Sequence, residues 1–131
     1  MTYCVGLLLN EGIVMLSDTR TNAGLDNIAT YRKMFHFENP GERVITIVTA
    51  GSLSVTQTTI ARLREAVDDI DATEETSIMK APTMLKVASL IGDTLCKVRL
   101  EIDEKLATMK QGASASMIVG AQRRGGPMRL F

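Results

Sequence analysis

Four polar residues near the start of the chain could together carry out acyl-transfer chemistry. Thr2 begins the first apolar segment, Asp18 and Arg20 follow the second, and Lys33 precedes the third. A threonine hydroxyl becomes a nucleophile when a base takes its proton, and a free N-terminal amine, with a reference pKa of about 7.7 to 8.0, is a base within the same residue. The sequence therefore suggests a nucleophile at Thr2 once Met1 has been removed.

Charged and backbone groups could support that hydroxyl. A buried Lys33 would lower the pKa of the hydroxyl by stabilising its anion, and Asp18 would hold the lysine charged and oriented. Arg20 could support Asp18 or the loop that follows it. Gly51 directly precedes a predicted helix, so its backbone N–H could face a developing oxyanion with help from the helix dipole.

These residues also have purely structural interpretations, and a threonine directly after the initiator methionine is common without any catalytic role. Asp18 could cap a turn, Lys33 could be a solvated strand end, and Gly51 could be an ordinary strand-to-helix turn. In an antiparallel sheet, however, the start of the first strand lies beside the end of the second, and Lys33 can join them from the next strand. This predicted convergence favours the functional interpretation.

The composition predicts a single domain covering residues 1–131. The chain has 131 residues, 45% of them hydrophobic, with 15 basic and 15 acidic side chains. Zero net charge argues against nucleic acid or an anionic membrane as a partner, and no apolar run is long enough for a bilayer span. The start lacks an export-signal pattern, which predicts a cytoplasmic protein.

Cysteine and histidine usage gives no sign of a metal or cofactor. Cys4 and Cys96 lie in apolar surroundings and are predicted to be small buried thiols rather than a disulfide. His36 lies between two phenylalanines with no neighbouring ligand set, which argues against a metal site or a histidine-based triad.

The apolar pattern predicts an antiparallel first half and a helical segment after it. Residues 3–9 form an apolar run typical of a strand covered on both faces, and a tight turn leads into a second strand at 13–18. A polar loop is expected at 19–33. Further strands are expected at 34–38 and 43–51.

Two helices and a final hairpin are predicted after Gly51. Ser52 or Ser54 is a possible N-cap for the first helix, and Pro82 and Thr83 open a long second helix that ends at 111–112. The second helix is apolar beyond one stripe, so we expect its own sheet and a neighbouring subunit to cover it. A strand at 113–122 and a turn at 123–127 lead into the last segment, 128–131.

Several of these motifs resemble one family. The lead "MTYCVGLLLNEGIVMLSDTRTNAG", with "SDTR" holding Asp18 and Arg20, "YRKMF" holding Lys33 and "TAGS" holding Gly51, is similar to the N-terminal half of a proteasome β-type subunit. The similarity is most specific to the bacterial proteasome-related group called Anbu, or ancestral β-subunit. It extends from Thr2 through the "SASMIVGAQ" strand.

The resemblance implies a fold and an activity. The implied fold is α+β, an antiparallel αββα four-layer sandwich of the N-terminal nucleophile hydrolase type, assembled into a large homo-oligomer. The implied activity is cofactor-free hydrolysis of a peptide or other amide, with Thr2 as nucleophile, Lys33 and Asp18 tuning it, Arg20 in support and Gly51 as the oxyanion donor. An ATPase partner has no local signature in the sequence.

The chain also departs from the family pattern. Family members are considerably longer, which implies that this chain holds the first part of the fold and lacks polar groups, including a serine, that lie near the threonine amine. Ser114 and Ser116 are expected to be packing or sheet positions rather than equivalents of that serine. Two alternatives therefore stay open: a non-catalytic assembly subunit of the same fold, and an amidohydrolase acting on small amides.

Overall fold

The computed structural model of the protein describes residues 2–22, 28–109 and 113–131. A short 3-10 helix, Ala107–Met109, follows the second α-helix. The strands and α-helices, in chain order, are β1 Cys4–Leu8, β2 Ile13–Ser17, β3 Arg20–Asn22, β4 Ile28–Thr30, β5 Met34–Asn39, β6 Arg43–Gly51, α1 Leu53–Asp68, α2 Met84–Leu106, β7 Ala115–Arg123 and β8 Arg129–Leu130.

The main sheet is antiparallel, with the strand order β5-β6-β7-β8. A separate ribbon, β1–β2, pairs Cys4 with Ser17 and Leu8 with Ile13. In this ribbon β1 contacts β7 and β8, while β2 contacts β6, so the ribbon packs against the main sheet. The α+β class and the antiparallel strands predicted from the sequence are confirmed.

The core lies between the main sheet and the two helices. Apolar side chains alternate along the strands, because successive residues of a strand face opposite sides of the sheet. One side packs against the buried faces of α1 and α2. The sheet contributes Phe35, Phe37, Ile45, Ile47, Val119 and Ala121, and the helices contribute Ile60, Leu63, Met84, Val87 and Ile91.

Two glycines allow the ribbon to approach the other side of the main sheet closely. A Cβ at Gly6 of β1 would lie 2.9 Å from Leu130 Cδ1 and 3.1 Å from Ile118 Cγ2. A Cβ at Gly120 of β7 would lie 3.1 Å from Ile13 and from Met15 of β2. Contacts this short are tighter than ordinary packing, so a side chain at either position would force the neighbouring side chains to shift.

Several sequence predictions need correction. The loop predicted at 19–33 contains a second antiparallel ribbon, β3–β4, in which Arg20 pairs with Thr30. Among the described residues the first strand is not covered on both faces, because Leu7, Leu8 and Leu9 are about half exposed. The helix α2 ends at Leu106, and the predicted end at 111–112 lies outside the described residues.

The prediction of two buried thiols is also wrong. Cys96 is exposed on α2 and Cys4 is half-buried, and both thiols are free. Cys96 shares an exposed side of α2 with Leu85, Ser89, Gly92 and Leu100, which follow one another at helical spacing. Neither described α-helix is long and apolar enough to cross a membrane.

A buried arginine ties the segment between α1 and α2 to the main sheet. The Arg43 side chain on β6 is 6% exposed. Its Nη1 donates hydrogen bonds to the carbonyl oxygens of Ile78 at 3.0 Å and Ala81 at 2.8 Å. Glu42 accepts from its Nε at 2.6 Å and from its Nη2 at 2.9 Å.

We expect Arg43→Met to lower the free energy of unfolding by about 2 to 4 kcal/mol, because two buried carbonyl groups lose their donor. Urea denaturation measures the change. The matched control is Arg99→Met, which removes a largely exposed guanidinium paired with Asp103 at 3.5 Å and should change stability by less than about 0.5 kcal/mol. Equal losses in the two variants would show that the buried contacts of Arg43 are not stabilising.

Candidate active site

The ammonium group of Lys33 is the centre of a polar cluster at one end of the molecule. Its Nζ donates to Thr2 Oγ1 at 3.0 Å and to the carbonyl oxygen of Arg20 at 2.6 Å. It also lies 3.0 Å from each carboxylate oxygen of Asp18. The Lys33 residue is 6% exposed, so these charge-assisted contacts are largely shielded from water.

Asp18 fixes the start of β1 as well as the lysine. Its Oδ1 accepts the backbone N–H of Tyr3 at 3.0 Å, and its own N–H donates to the Tyr3 carbonyl at 3.0 Å. Its Oδ2 accepts the N–H of Arg20 at 3.2 Å. The peptide that follows Thr2 is therefore held by the same carboxylate that pairs with Lys33.

These contacts favour the ionised form of Asp18. The N–H of Tyr3 and then the Lys33 ammonium lower the pKa of the carboxyl group to about 2, with a smaller contribution from the Arg20 N–H. The carboxylate thus stays charged at any pH near neutrality.

The lowered pKa of Asp18, about 2, predicts a pH dependence of stability in acid. A folded-state pKa below the ordinary value near 3.9 means that the unfolded state binds the proton more readily, so this stabilisation is present above that ordinary value. It is lost as the pH falls from about 4 towards 2.

The thermal unfolding midpoint, measured at pH values from about 5 down to about 2, should therefore fall more steeply for the wild type than for the Asp18→Asn variant. Asp93→Asn, at an exposed position on α2, is the control and should keep the wild-type slope. Parallel curves for the wild type and Asp18→Asn would contradict the predicted ionisation of Asp18.

The number of acceptors around Lys33 limits what the lysine can do. An ammonium group has three hydrogens and no lone pair. Arg20 O, Thr2 Oγ1 and the Asp18 carboxylate account for all three. In this charged state Lys33 can stabilise negative charge on Oγ1, but it cannot take the proton of the hydroxyl.

Arg20 joins the cluster through its backbone. Its carbonyl accepts from Lys33 and its N–H donates to Asp18, while its side chain is exposed. The sequence predicts that Arg20 supports Asp18 or the following loop, and the contact to Asp18 is made by the Arg20 backbone N–H. The pairing of β3 with β4, which the sequence analysis missed, is what orients this backbone.

Gly51 needs to be glycine for two reasons. Its φ is +99°, a conformation that L side chains rarely adopt. A Cβ there would lie 2.4 Å from the carbonyl oxygen of Ser114 and 2.8 Å from Ala115 Cα, both in the backbone at the start of β7. The glycine therefore permits the close turn from β6 into α1.

A cavity of about 140 Å³ joins Gly51 to the Thr2 cluster. The helix α1 begins at its edge, and the N-cap residue Ser52 makes no side-chain capping bond. The first N–H groups of a helix attract negative charge, so this edge suits an anion or a developing oxyanion. The lining residues are Thr2, Arg20, Thr21, Tyr31, Lys33, Thr49, Ala50, Gly51, Leu53 and Thr56.

Sequence reasoning missed the three other threonines of this cavity. Thr49 and Thr56 are each 2% exposed, and the Thr21 hydroxyl is buried without a hydrogen-bond partner among the described residues. Thr49 belongs to the "TAGS" motif, so its position beside Gly51 was the available signal. Thr21 and Thr56 carry no signal of this kind.

Two polar residues to which the sequence analysis gives no functional role, His36 and Ser116, are not part of the cavity lining. His36 is exposed on β5, with its ring nitrogens 3.2 Å from Thr46 Oγ1 and 2.9 Å from Glu38 Oε2. Ser116 lies in β7 opposite Ala50, a sheet position as predicted. Within residues 2–22, 28–109 and 113–131, no group of three or more potential metal ligands comes together.

The solved structures most similar to this chain include three Anbu proteins. One is an Anbu mutant from Hyphomicrobium sp. strain MC1, with 37% sequence identity, a TM-score of 0.87 and coverage of 100% of this chain and 52% of that chain. The second is the helical assembly of the Anbu complex from Pseudomonas aeruginosa, with 37% identity, a TM-score of 0.87 and coverage of 99% of this chain and 52% of that chain. The third is Anbu, the ancestral β-subunit, from Yersinia bercovieri, with 32% identity, a TM-score of 0.84 and coverage of 100% of this chain and 52% of that chain. The chain matches no protein-family model and no curated protein sequence.

These similarities define the class as proteasome-related. The whole chain aligns with Anbu structures at up to 37% identity, which confirms the resemblance predicted from the motifs. Over the residues that it spans, the chain belongs to the Anbu, or ancestral β-subunit, family. It spans about half the length of these relatives, 52% in each of the three.

Proposed function

We propose that the protein is a threonine-type hydrolase of peptide or other amide bonds, with Thr2 as the nucleophile after removal of Met1. The contact that carries this proposal is the 3.0 Å hydrogen bond from Lys33 Nζ to Thr2 Oγ1. A buried cation at this distance favours the alkoxide form of the hydroxyl. Membership of a proteasome-related family supports the same activity.

In the proposed acylation step, Thr2 Oγ1 attacks the substrate carbonyl while the free amine of Thr2 takes the hydroxyl proton. Lys33 stays protonated and stabilises the charge that develops on Oγ1. The ammonium of Thr2 then gives its proton to the leaving amine as the C–N bond breaks, which leaves an ester between the substrate acyl group and Thr2.

In the proposed deacylation step, water attacks the ester and gives its proton to the same amine. The bond between the acyl carbon and Oγ1 then breaks, the ammonium of Thr2 returns the proton to Oγ1, and the carboxylic acid leaves. In both steps we assign the tetrahedral oxyanion to the Gly51 N–H and the N-terminal end of α1. The shared cavity of Thr2, Gly51 and Leu53 supports this assignment.

We also propose that the protein has the four-layer αββα sandwich and self-associates. The outward side of the β1–β2 ribbon supports a further covering layer, because Leu7, Val14 and Leu16 are 48%, 49% and 55% exposed. The helical assembly described for the Pseudomonas aeruginosa Anbu complex supports self-association into a large homo-oligomer.

A second candidate is an amidohydrolase for small amides, whose substrate would bind in the cavity of about 140 Å³ beside Thr2. This candidate uses the same residues and differs only in its substrate.

Substrate competition distinguishes these functions. The native protein, shown by mass spectrometry to lack Met1, is incubated with a fluorogenic N-acyl tripeptide amide in the presence of unfolded protein or of a small acyl amide. Inhibition by unfolded protein supports a peptidase, and inhibition by the small amide alone supports the amidohydrolase. No hydrolysis of either class by a protein with a free Thr2 amine would contradict both and leave the assembly role.

A further inference from the structure

Thr49 connects the start of β1, which follows the candidate nucleophile Thr2, to the segment before β5 that holds Lys33. Its backbone N–H donates to the Lys33 carbonyl at 2.9 Å, and its hydroxyl lies 3.4 Å from the same oxygen. Its own carbonyl accepts the Cys4 thiol at 3.4 Å. Lys33 precedes β5 and Cys4 begins β1, so Thr49 of β6 contacts both elements.

These contacts bear directly on the 3.0 Å distance between Lys33 Nζ and Thr2 Oγ1. Thr2 lies two residues before Cys4, and the regular pairing of β5 with β6 begins at Met34 and Val48, so Lys33 is the residue just before the ladder. The backbone of Lys33 therefore lies just beyond the ladder, where the contacts with Thr49 extend it. A loose strand end here would let the lysine move relative to the hydroxyl.

We infer that Thr49 is a positioning residue, which fixes the backbones of Lys33 and Cys4 and thereby keeps the Lys33 ammonium against Thr2 Oγ1. The catalytic part of this inference rests on the proposed hydrolase function, whereas the positioning of Lys33 does not. Thr49 also lines the cavity beside Gly51, but the contacts through which it fixes the cluster run to the Lys33 carbonyl and the Cys4 thiol. Its side chain acts by its hydroxyl contact with the Lys33 carbonyl.

Thr49→Val tests the hydroxyl with little risk to the fold. Thr49 is 2% exposed. In the variant, the Lys33 carbonyl still accepts a hydrogen bond from the backbone N–H of residue 49, so no buried acceptor is left without a donor. We therefore expect an unchanged unfolding midpoint. Thr49→Ser restores the hydroxyl and serves as the rescue variant.

The first readout is the rate at which a small amine-reactive reagent modifies Lys33 in the full-length protein, followed by peptide mass spectrometry with exposed Lys97 as the internal reference. We expect Thr49→Val to raise the Lys33 rate relative to Lys97 by about threefold, through more frequent local opening, and Thr49→Ser to restore it. An unchanged ratio would overturn the inference whether or not the protein is a hydrolase.

The second readout is the kinetics of amide hydrolysis. We expect Thr49→Val to lower kcat by about tenfold with KM unchanged, because misplacement of a catalytic group slows the chemical step. Faster Lys33 modification with an unchanged kcat would also overturn the positioning role. If the wild type itself shows no Thr2-dependent turnover, the proposed function fails, and the Lys33 modification ratio alone decides the structural inference.

Discussion

Replacing Thr2 by alanine is expected to reduce amide hydrolysis by at least about a thousandfold, because the variant lacks the hydroxyl on which the proposed acyl ester forms. The variant keeps the Tyr3 N–H that binds Asp18, so β1 should stay in place. Steady-state hydrolysis of the fluorogenic peptide measures the loss, and size-exclusion chromatography checks that the assembly is unchanged.

The matched control for Thr2 is Thr108→Ala, at an exposed threonine after α2, which should retain full activity. Thr2→Ser should retain part of the activity, because a serine provides both a hydroxyl and an N-terminal amine. Wild-type turnover by Thr2→Ala would contradict the proposed nucleophile.

Replacing Lys33 by methionine is expected to lower kcat by about a hundredfold or more, because the charge facing Thr2 Oγ1 is removed while the side chain keeps a similar length. The Arg20 carbonyl and the Asp18 carboxylate lose their shared partner at the same time. We therefore also expect a lower unfolding midpoint.

Two controls distinguish loss of charge from loss of structure. Lys97→Met, on the exposed side of α2, should change neither activity nor stability. The double variant Lys33→Met, Asp18→Asn removes the charge of the carboxylate left behind, so it should regain stability without regaining activity. Recovery of kcat in the double variant would contradict the electrostatic role of Lys33.

The apolar pattern was sufficient to predict the principal strands and both helices. Alternation in segments such as Phe35–Phe37 and Ile45–Ile47 determines which side of the sheet is buried, and that signal is local. The polar candidates Thr2, Asp18 and Lys33 flank these strands, so an antiparallel order was enough to predict that they meet. The structure brings the three together, while their catalytic roles stay predictions.

The missed features depend on tertiary contacts. The strands β3 and β4 have three residues each, too few to show an alternating pattern. Their role is clear only from the folded structure, where the Arg20 carbonyl of β3 accepts a hydrogen bond from Lys33. The exposure of Cys96 depends on which side of α2 packs against the sheet. Because α2 carries apolar residues outside its main stripe, the sequence pattern does not identify that side. The role of Arg43 in holding the α1–α2 segment has no sequence signature at all.

The most direct test of the proposed nucleophile is peptide mapping of the native protein after reaction with an electrophilic peptide probe. A Thr2 nucleophile predicts one adduct per chain, on an N-terminal peptide that begins at Thr2 and lacks Met1, and no adduct with Thr2→Ala. Retention of Met1 on the active native protein, or an adduct on any other residue, would contradict it.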